Sequence, residues 1–526
     1  MKIILTMIFS SLIVIGILYS MVILFKTQEE KQNENIMTDT EIIDAVINNF
    51  FEVAKIPRPS HHEEKISQFL MDFAINQGLN PVRDGYNNVM YEIPATKGLE
   101  DKPLGILQGH MDMVVAVEKG KDFDPLNDSI TPIRDDISGK LTANGTSLGA
   151  DDGIGLAIIM AVTQGKMPHG KLRIIITVDE EDGMTGAFHI SSSWLENASF
   201  LINIDNEWST QILVSTASAD SFNASKSFEY KDPEGNKTIQ VEISNLKGGH
   251  SGVEIDKGRL NGIIALAKFL KALNNQSIDY ELSSFEGGTA SNAIPTEAKA
   301  ILVINSSDLN EIKQKMEDYC GTLNKTYEKV ENEIICTVTE FNTIPKIVSS
   351  TEKNNLINFL IEVIDGVYTM SENMEGLVES SSNLGIIKMT PLSEFLEIIT
   401  LIRSSNAEKE TEIINQQKNL ALANGFENKD IDIQHSADAW EYDPNSKLIE
   451  LAKTIYKKQN NEDAEVVAAH AGVECGTFKK LNKELDMISI GPDITGGHTI
   501  RETLYFNSIP RIWNLLGGIL QAYPNI

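Results

Sequence analysis

The sequence predicts an α/β protein carried on an N-terminal transmembrane helix, and three observations predict it. From Asp39 onward, short runs that are apolar on both faces alternate with amphipathic stretches of helical period, the pattern of strands buried in an α/β sheet. Three of those runs end in acids or a histidine, and such sheets place their chemistry at the carboxyl ends of their strands. Ahead of them, residues 3–25 hold 23 positions without a charge, between Lys2 and Lys26.

That uncharged segment is long enough to cross a bilayer as a helix. TQEEKQNE follows it and offers no small-residue cleavage site, so the segment reads as an uncleaved single-pass anchor and not as a secretory signal. A lysine on each side sets no orientation. Residues 27–37 are polar and read as a tether. Translation from Met37 is the alternative, and it gives a cytoplasmic protein.

The chain has 526 residues, 41% of them hydrophobic, enough for two or three domains with substantial cores. Its formal charge of −30, from 75 acids against 45 bases, argues against nucleic acid or an anionic membrane surface as a partner. Cys320, Cys336 and Cys475 make neither a disulfide framework nor a CxxC metal pattern. Any metal must therefore be held by His, Asp and Glu.

The soluble part begins with EIIDAVINNFFEVAKI, which places Ile42, Val46, Phe50 and Val53 on one helical face. EEKISQFLMDFAINQG is a second amphipathic helix, with Gly78 where a C-cap belongs. PLGILQGH, DDGIGLAIIMAVTQG, KLRIIITVDEE and SFLINIDNE then read strand, helix, strand, strand. Their ends carry His110 with Asp112, then Asp179, Glu180 and Glu181, then Asp205. LGADDGIG, residues 148–155, adds Asp151 and Asp152 at the mouth of the helix. Carboxylates this close repel each other and cost free energy to hold.

A pair of cations accounts for the cluster. His110 and Asp112 are two apart and face the same way along extended backbone. Asp112 can then hold the imidazole by its other ring nitrogen. Glu180 and Glu181 point apart, so one can bind a metal while the other addresses a water. Asp151 stands where the helix dipole favours an anion, and its two oxygens can bridge two cations. The glycine-rich loop of ISIGPDITGGHTIRE, residues 488–502, carries His498, and Gly496 and Gly497 let it approach a crowded site. Mixed His and carboxylate donors suit Zn²⁺, and also Mn²⁺ or Co²⁺.

GHMDMV, LGADDGIGLA, VDEEDGMTGA, NIDNE, GGHSG, GGTASNAIP, HAGVECG and GPDITGGH occur in this order, and together they resemble the M20 family of metallopeptidases. Within it they are most similar to the C branch, the aminoacyl-histidine dipeptidases also called cytosolic non-specific dipeptidases or peptidase D. The likeness runs from about Met37 to the C-terminus and leaves only the hydrophobic anchor outside. It implies a zinc-exopeptidase-like catalytic domain, with a mixed β-sheet flanked by helices, and an inserted α+β lid domain. It also implies hydrolysis of dipeptides, of Xaa-His type and broader, with two Zn²⁺ per subunit. Carried over by position, His110 and Asp205 would bind one zinc, Glu181 and His498 the other, with Asp151 bridging. Asp112 would clamp His110, and Glu180 would be the general base. The choice of Glu180 over Glu181 comes from the family.

After Ser218 the pattern changes to strands such as TIQVEI (238–243) and amphipathic helices such as RLNGIIALAKFLKAL (259–273). ESSSNLGIIKM and AEKETEIINQQKNLALANG continue it. This stretch looks like the family's lid, and it divides the chain into four parts. Residues 1–36 are anchor and tether, 37–217 the first part of the catalytic domain, 218–435 the inserted lid and dimerisation domain, and 436–526 the second catalytic part. The resemblance implies that the lid brings His250 of GGHSG to the reacting carbonyl. It further implies that Asn292 of SNAIP and Arg403 of LIRSS hold the substrate, at its carboxylate end, and that two subunits pair through the lid.

Without the family, His250 reads equally as a turn residue, and Asn292 and Arg403 as structural hydrogen bonders. Asp152 is expected to cap its helix. His61, His62, His169, His189 and His435 show no partner spacing and read as surface or packing residues. His470 and Glu474 lie in a family motif and either line the pocket or shape its loop, and Cys475 reads as a small buried residue. HTIRE stands where relatives more often have HSPDE, and SADAW replaces a turn with glycine and proline. Both changes bear on pocket shape and leave every proposed ligand in place. Two other readings compete: an amidohydrolase or deacetylase of N-acyl amino acids on the same fold, and a membrane-tethered peptide-binding protein without catalysis. Retention of Glu180 and all five ligands argues against the binder, which has no need of a base.

Overall fold

The three apolar runs form the centre of an eight-stranded mixed sheet in the computed structural model, which describes residues 37–524 apart from Ala471. Gly105–His110 pairs in parallel with Leu172–Thr177 on one side and with Phe200–Asn203 on the other. Successive side chains of these strands enter opposite cores. Leu107, Ile174, Ile176 and Ile202 join one, and Ile106, Ile175 and Leu201 join the other. Both faces are covered, which is why the runs carry no polar alternation. Val89–Ile93 adds an antiparallel neighbour to Leu172–Thr177, and Asp486–Ser489 adds a parallel one to Phe200–Asn203.

The helices Asp39–Ala54, Ala150–Thr163 and Ile509–Ala522 share the larger core. Thr38 starts the first of these with a reciprocal capping box to Glu41, satisfying two of the donors a helix start leaves open. Ala150–Thr163 buries residues all round its axis, as a helix sandwiched between a sheet and other helices must. Gly78 takes a left-handed φ of 78° just past the helix Glu64–Asn76, where a C-cap glycine was expected.

A second, nine-stranded sheet is antiparallel throughout and has its own core. Val378–Thr390 and Phe395–Ser404 form its long central hairpin, flanked by Glu281–Gly287 and by Ala219–Ser227. The helices Gly262–Asn275, Leu309–Thr326, Ser350–Glu362 and Ala407–Ala423 contribute to that core. The chain enters and leaves this body at adjacent positions: Thr216 bridges Trp440, and Ala219 pairs with Ala437.

The expected fold class needs one correction. No helix among the described residues is long and apolar enough to cross a membrane. Residues 3–25, on which the transmembrane helix was placed, lie outside the described residues. Hydropathy marks an apolar segment but carries no tertiary information, and the fold described here is an α/β body with mixed and antiparallel sheets.

Candidate metal centre

Because the three central strands run in parallel, the connections that follow them meet at one edge of the sheet. His110 ends its strand, Glu180 and Glu181 follow Leu172–Thr177, and Asp205 follows Phe200–Asn203. Asp151 reaches the same edge from the start of the helix Ala150–Thr163. His498 arrives on the loop between Ile494–Thr495 and Thr503–Tyr505, and the latter strand pairs with Lys140–Ala143.

His110 Nε2 lies 3.1 Å from Asp151 Oδ1 and 3.4 Å from Asp205 Oδ1. His498 Nε2 lies 3.2 Å from Asp151 Oδ2 and 2.8 Å from Glu181 Oε2. Asp151 therefore turns one oxygen to each imidazole. A ring nitrogen has at most one proton to give, yet each of these faces two carboxylate oxygens. Protons can answer that only by charging both rings. Hydrogen bonds to Asp151 and Glu181 push His498 up to about 11. Burial opposes charging of His110, but Asp205, Asp112 and Asp151 together outweigh it and raise that ring well above its ordinary value. A cation beside each nitrogen satisfies the same oxygens without protons. Glu181 Oε1 is buried with no partner among the described residues, and the donor atoms of His110, Asp151 and Glu181 fall within 4.8 Å of one another. The residues present fit metal ions of the kind that His and carboxylate donors hold.

Asp112 organises the edge. Its Oδ1 stands 3.3 Å from His110 Nδ1 and accepts from Glu180 N at 3.0 Å, while Oδ2 accepts from Glu181 N at 3.2 Å and Ser60 Oγ at 2.8 Å. Burial alone would raise its pKa, but the bond and charge of His110 and the N–H of Glu180 hold it at about 2. Glu180 behaves oppositely. Burial pushes its carboxyl well above the usual range, His110 opposes this, and the carboxylates of Asp205, Glu474 and Glu181 add to it. Asp152 accepts from Gly155 N at 3.1 Å, as a helix cap does, and from His110 N at 3.2 Å.

Arg58 and Glu502 escaped the sequence reading, while Glu474, His435 and Cys475 were singled out there without a settled role. Arg58 is 2% exposed and donates to the carbonyls of Met111 (2.9 Å), Asp112 (2.5 Å) and Gly149 (2.5 Å), tying two metal loops together. Its place between two prolines in IPRPS is the only local signal. Glu502 accepts from four successive backbone N–H groups, Leu148 to Asp151, from the far end of the chain. It had been noticed only as the last letter of an altered motif. Glu474 is fully buried on Gln108 Nε2 (2.6 Å) and Thr177 Oγ1 (2.8 Å), and burial, against those two donors, pushes it up to about 7. His435, which showed no local partner, lies between Asp220 at 2.5 Å and Asp438 at 2.9 Å. Cys475 is buried in the smaller core of the mixed sheet.

The residues expected from the lid form a second group. His250 accepts from Gly252 N at 3.1 Å, and Ser251 N donates to Asn292 O at 2.8 Å while the Asn292 side chain is exposed. Arg403 is 8% exposed, its Nε has no partner, and no carboxylate pairs with it among the described residues. Burial lowers its guanidinium to about 10. His470 Nε2 meets Ser381 Oγ at 2.7 Å, and burial with the charges of Arg403 and His250 drives its ring down to about 3. None of His250, Asn292 and Arg403 makes a hydrogen bond or ion pair to the metal-binding residues among the described residues. A cleft of about 530 Å³ spans the gap, lined by Asp205, Glu207 and Trp208 on one side and by Gly252, Val253 and His470 on the other.

A parallel-centred sheet presenting a His and carboxylate cation site, with a half-buried glutamate beside it and a cleft in front, defines a metal-dependent hydrolase. The chain belongs to peptidase family M20/M25/M40, which residues 106–522 match, and it is a metallopeptidase. It is 33% identical over 479 residues to a cytosol non-specific dipeptidase of Escherichia coli, covering 90% of this chain and 96% of that one. An aminoacylhistidine dipeptidase from Vibrio alginolyticus superposes with a TM-score of 0.85 at 31% identity, covering 92% of this chain and 97% of that one. The aminopeptidase PepT of Bacillus cereus, at 15% identity and a TM-score of 0.51, shares the fold over 91% of this chain and 98% of its own. The expected membrane localisation is corrected with the fold class: no described helix can span a bilayer, and the Escherichia coli relative is named for the cytosol.

Proposed function

We propose that this metallopeptidase is a dipeptidase that uses two Zn²⁺, with Mn²⁺ or Co²⁺ as substitutes. The observation that carries the reading is Asp151, whose two oxygens address the imidazoles of His110 and His498 at 3.1 and 3.2 Å. His110 and Asp205 would hold one metal and Glu181 and His498 the other, with Asp151 shared between them. Bound there, the pair supplies Lewis-acid polarisation of the scissile carbonyl and of a water. Glu180 would take the proton of that water: it is the half-buried carboxyl of the edge whose oxygens no donor occupies among the described residues, and desolvation raises its affinity for a proton. Asp112 fixes the ring of His110 and the backbone of both glutamates. Arg403, a buried guanidinium without a counter-ion among the described residues, receives the substrate's carboxylate, with Asn292 and His250 as further lid residues toward it.

The same reading divides the described chain into a catalytic body, residues 37–217 and 436–526, and a lid, 218–435. It includes pairing of two subunits through the lid, supported by the strand Ile335–Phe341, which bonds a neighbour on one edge only among the described residues.

The test strips the purified full-length chain with chelator, reloads it with Zn²⁺ or Mn²⁺, and follows Ala-His beside an N-acetyl amino acid. Metal-dependent release of histidine is expected, falling about 10²–10⁴-fold in Glu180→Gln with metal content retained. Cleavage of the acetylated compound alone would make the protein an amidohydrolase. Turnover of neither, with metals bound, would leave a peptide binder.

A further inference from the structure

A dipeptide differs from an N-acyl amino acid by one group, the free α-ammonium. In any α-amino acyl residue that nitrogen lies about 2.5 Å from the carbonyl carbon, two bonds away, so whatever recognises it must stand beside the reacting centre. The carboxylates there are nearly all engaged. Asp151, Asp205 and Glu181 face the imidazoles, Asp112 is saturated by donors, Glu180 is the proposed base, and Glu474 is held behind the sheet by Gln108 and Thr177.

Glu207 is not engaged. It lies two residues past Asp205 on the same connection, half-buried in the wall of the cleft, and its backbone carbonyl is fixed by Ile494 N at 2.9 Å. Its carboxylate packs over the loop that carries His498: a Cβ placed on Gly497 would stand 2.8 Å from Glu207 Oε1. No ion pair or hydrogen bond meets that carboxylate among the described residues. Burial and the charge of Asp151 push it up to about 7, with only the charge of His498 acting against them, so an arriving ammonium group would find it uncompensated. The cleft is lined by Asp205, Glu207 and Asp256 and by no lysine or arginine, and Asp256 is already paired with Lys257 at 2.9 Å. His470, which also lines the cleft, feels the charge of Arg403, a buried guanidinium that no carboxylate pairs with among the described residues. A zwitterion matches this layout, with its anionic end toward Arg403 and its cationic end toward Glu207. Trp208, Leu213, Val253 and Val467 provide apolar wall between them for a side chain.

We propose that Glu207 receives the free α-ammonium group of the substrate and thereby selects peptides with an unblocked N-terminus. This rests on the dipeptidase reading and names the residue that would separate it from the amidohydrolase one. The contact is a charge-assisted hydrogen bond made only by substrates that carry the amine.

The experiment compares Ala-His with propionyl-histidine, which lacks only the amine, in the metal-loaded full chain and in Glu207→Gln and Glu207→Asp. Propionyl-histidine is followed both as a substrate and as a competitive inhibitor, and metal per chain is measured in parallel. Glu207→Gln should lower kcat/KM for Ala-His about tenfold to a hundredfold. It should leave the constants for propionyl-histidine within about twofold and metal content at the wild-type level, and Glu207→Asp should recover part of the loss. Equal losses on both compounds, a fall in bound metal, or an unchanged Ala-His rate would each overturn the inference. Failure of the wild type to cleave Ala-His at all would sink the dipeptidase reading along with it. Wild-type cleavage with unaltered selectivity in Glu207→Gln would sink only the role of Glu207.

Discussion

Glu502→Gln tests whether the metal centre is held from outside its own ligands. Oε2 of Glu502 accepts from Leu148 N (2.8 Å) and Gly149 N (2.9 Å), and Oε1 from Ala150 N (2.7 Å) and Asp151 N (3.3 Å). Four donors on two oxygens leave no room for a proton, so the group acts as an anion at a helix N-terminus. Glutamine keeps one oxygen and turns an NH₂ against the other two N–H groups. Losing two charge-assisted bonds costs about 3–6 kcal/mol. Part is returned, because burial and the neighbouring Asp151 charge already press the Glu502 carboxyl above its ordinary pKa. The expected net loss is about 2–4 kcal/mol in urea unfolding of the metal-free chain. With the NH₂ at the Oε1 position the N–H groups of Ala150 and Asp151 are released, so zinc affinity, read by competition with a chromogenic chelator, should fall about 10–100-fold. Wild-type affinity in a destabilised variant would reduce Glu502 to an ordinary cap. Wild-type stability and affinity together would refute the reasoning outright.

Three further outcomes follow from the same geometry. Loading zinc at pH 7 should release at least about one proton per chain, detected with an indicator dye in weak buffer, because the ring of His498, pushed up to about 11, must give up its proton. Arg58→Lys should cost about 2–4 kcal/mol in urea unfolding, since one ammonium cannot span the carbonyls of Met111, Asp112 and Gly149 that the guanidinium holds. His435 is raised to about 10 by its bonds to Asp220 and Asp438, so its contribution to stability is complete below about pH 6.5 and is lost as pH rises through 10. The destabilisation by His435→Gln should therefore be largest in mildly acidic buffer and shrink toward pH 10; a gap that widens with pH would contradict the pairing.

Strands and helices around the centre were legible because burial on both faces leaves a direct imprint on sequence. RIIITV and FLINI carry isoleucine, leucine, valine or phenylalanine on both faces, and the sheet alternates these side chains between two cores. The meeting of His110, Glu181 and Asp205 was legible for a second reason: parallel strands must deliver their ends to one edge, whereas Asp151 reaches it from a helix start and His498 from a loop between antiparallel strands. What stayed hidden depends on contacts between distant segments. Glu502 caps a helix 351 residues before it, and no local pattern announces such a bond. His435 looked unpartnered because its aspartates come from Asp220, on the neighbouring strand, and from Asp438, just past the strand end. The anchor expected over residues 3–25 shows the opposite failure: a strong local hydropathy signal that lies outside the described residues and says nothing of the fold.

The centre also illustrates how position divides labour among identical side chains. Asp112, buried, and Glu180, half-buried, are carboxyls at one sheet edge, joined by a bond from Glu180 N to Asp112 Oδ1 at 3.0 Å. Donors surround Asp112 and hold it at about 2, so it stays ionised and can orient an imidazole but cannot take up a proton. Donors spare the Glu180 carboxyl, and burial among other carboxylates drives its affinity for protons up. Surroundings that push two carboxyl pKa values apart in this way are what the proposed division into positioning residue and base requires. The adjacent Glu181 is drawn the other way, with one oxygen 2.8 Å from His498 Nε2. In VDEE the two glutamates are indistinguishable as letters. In space one turns an oxygen to His498 while the other meets no donor among the described residues, a difference that the two letters do not show and that underlies the proposed roles.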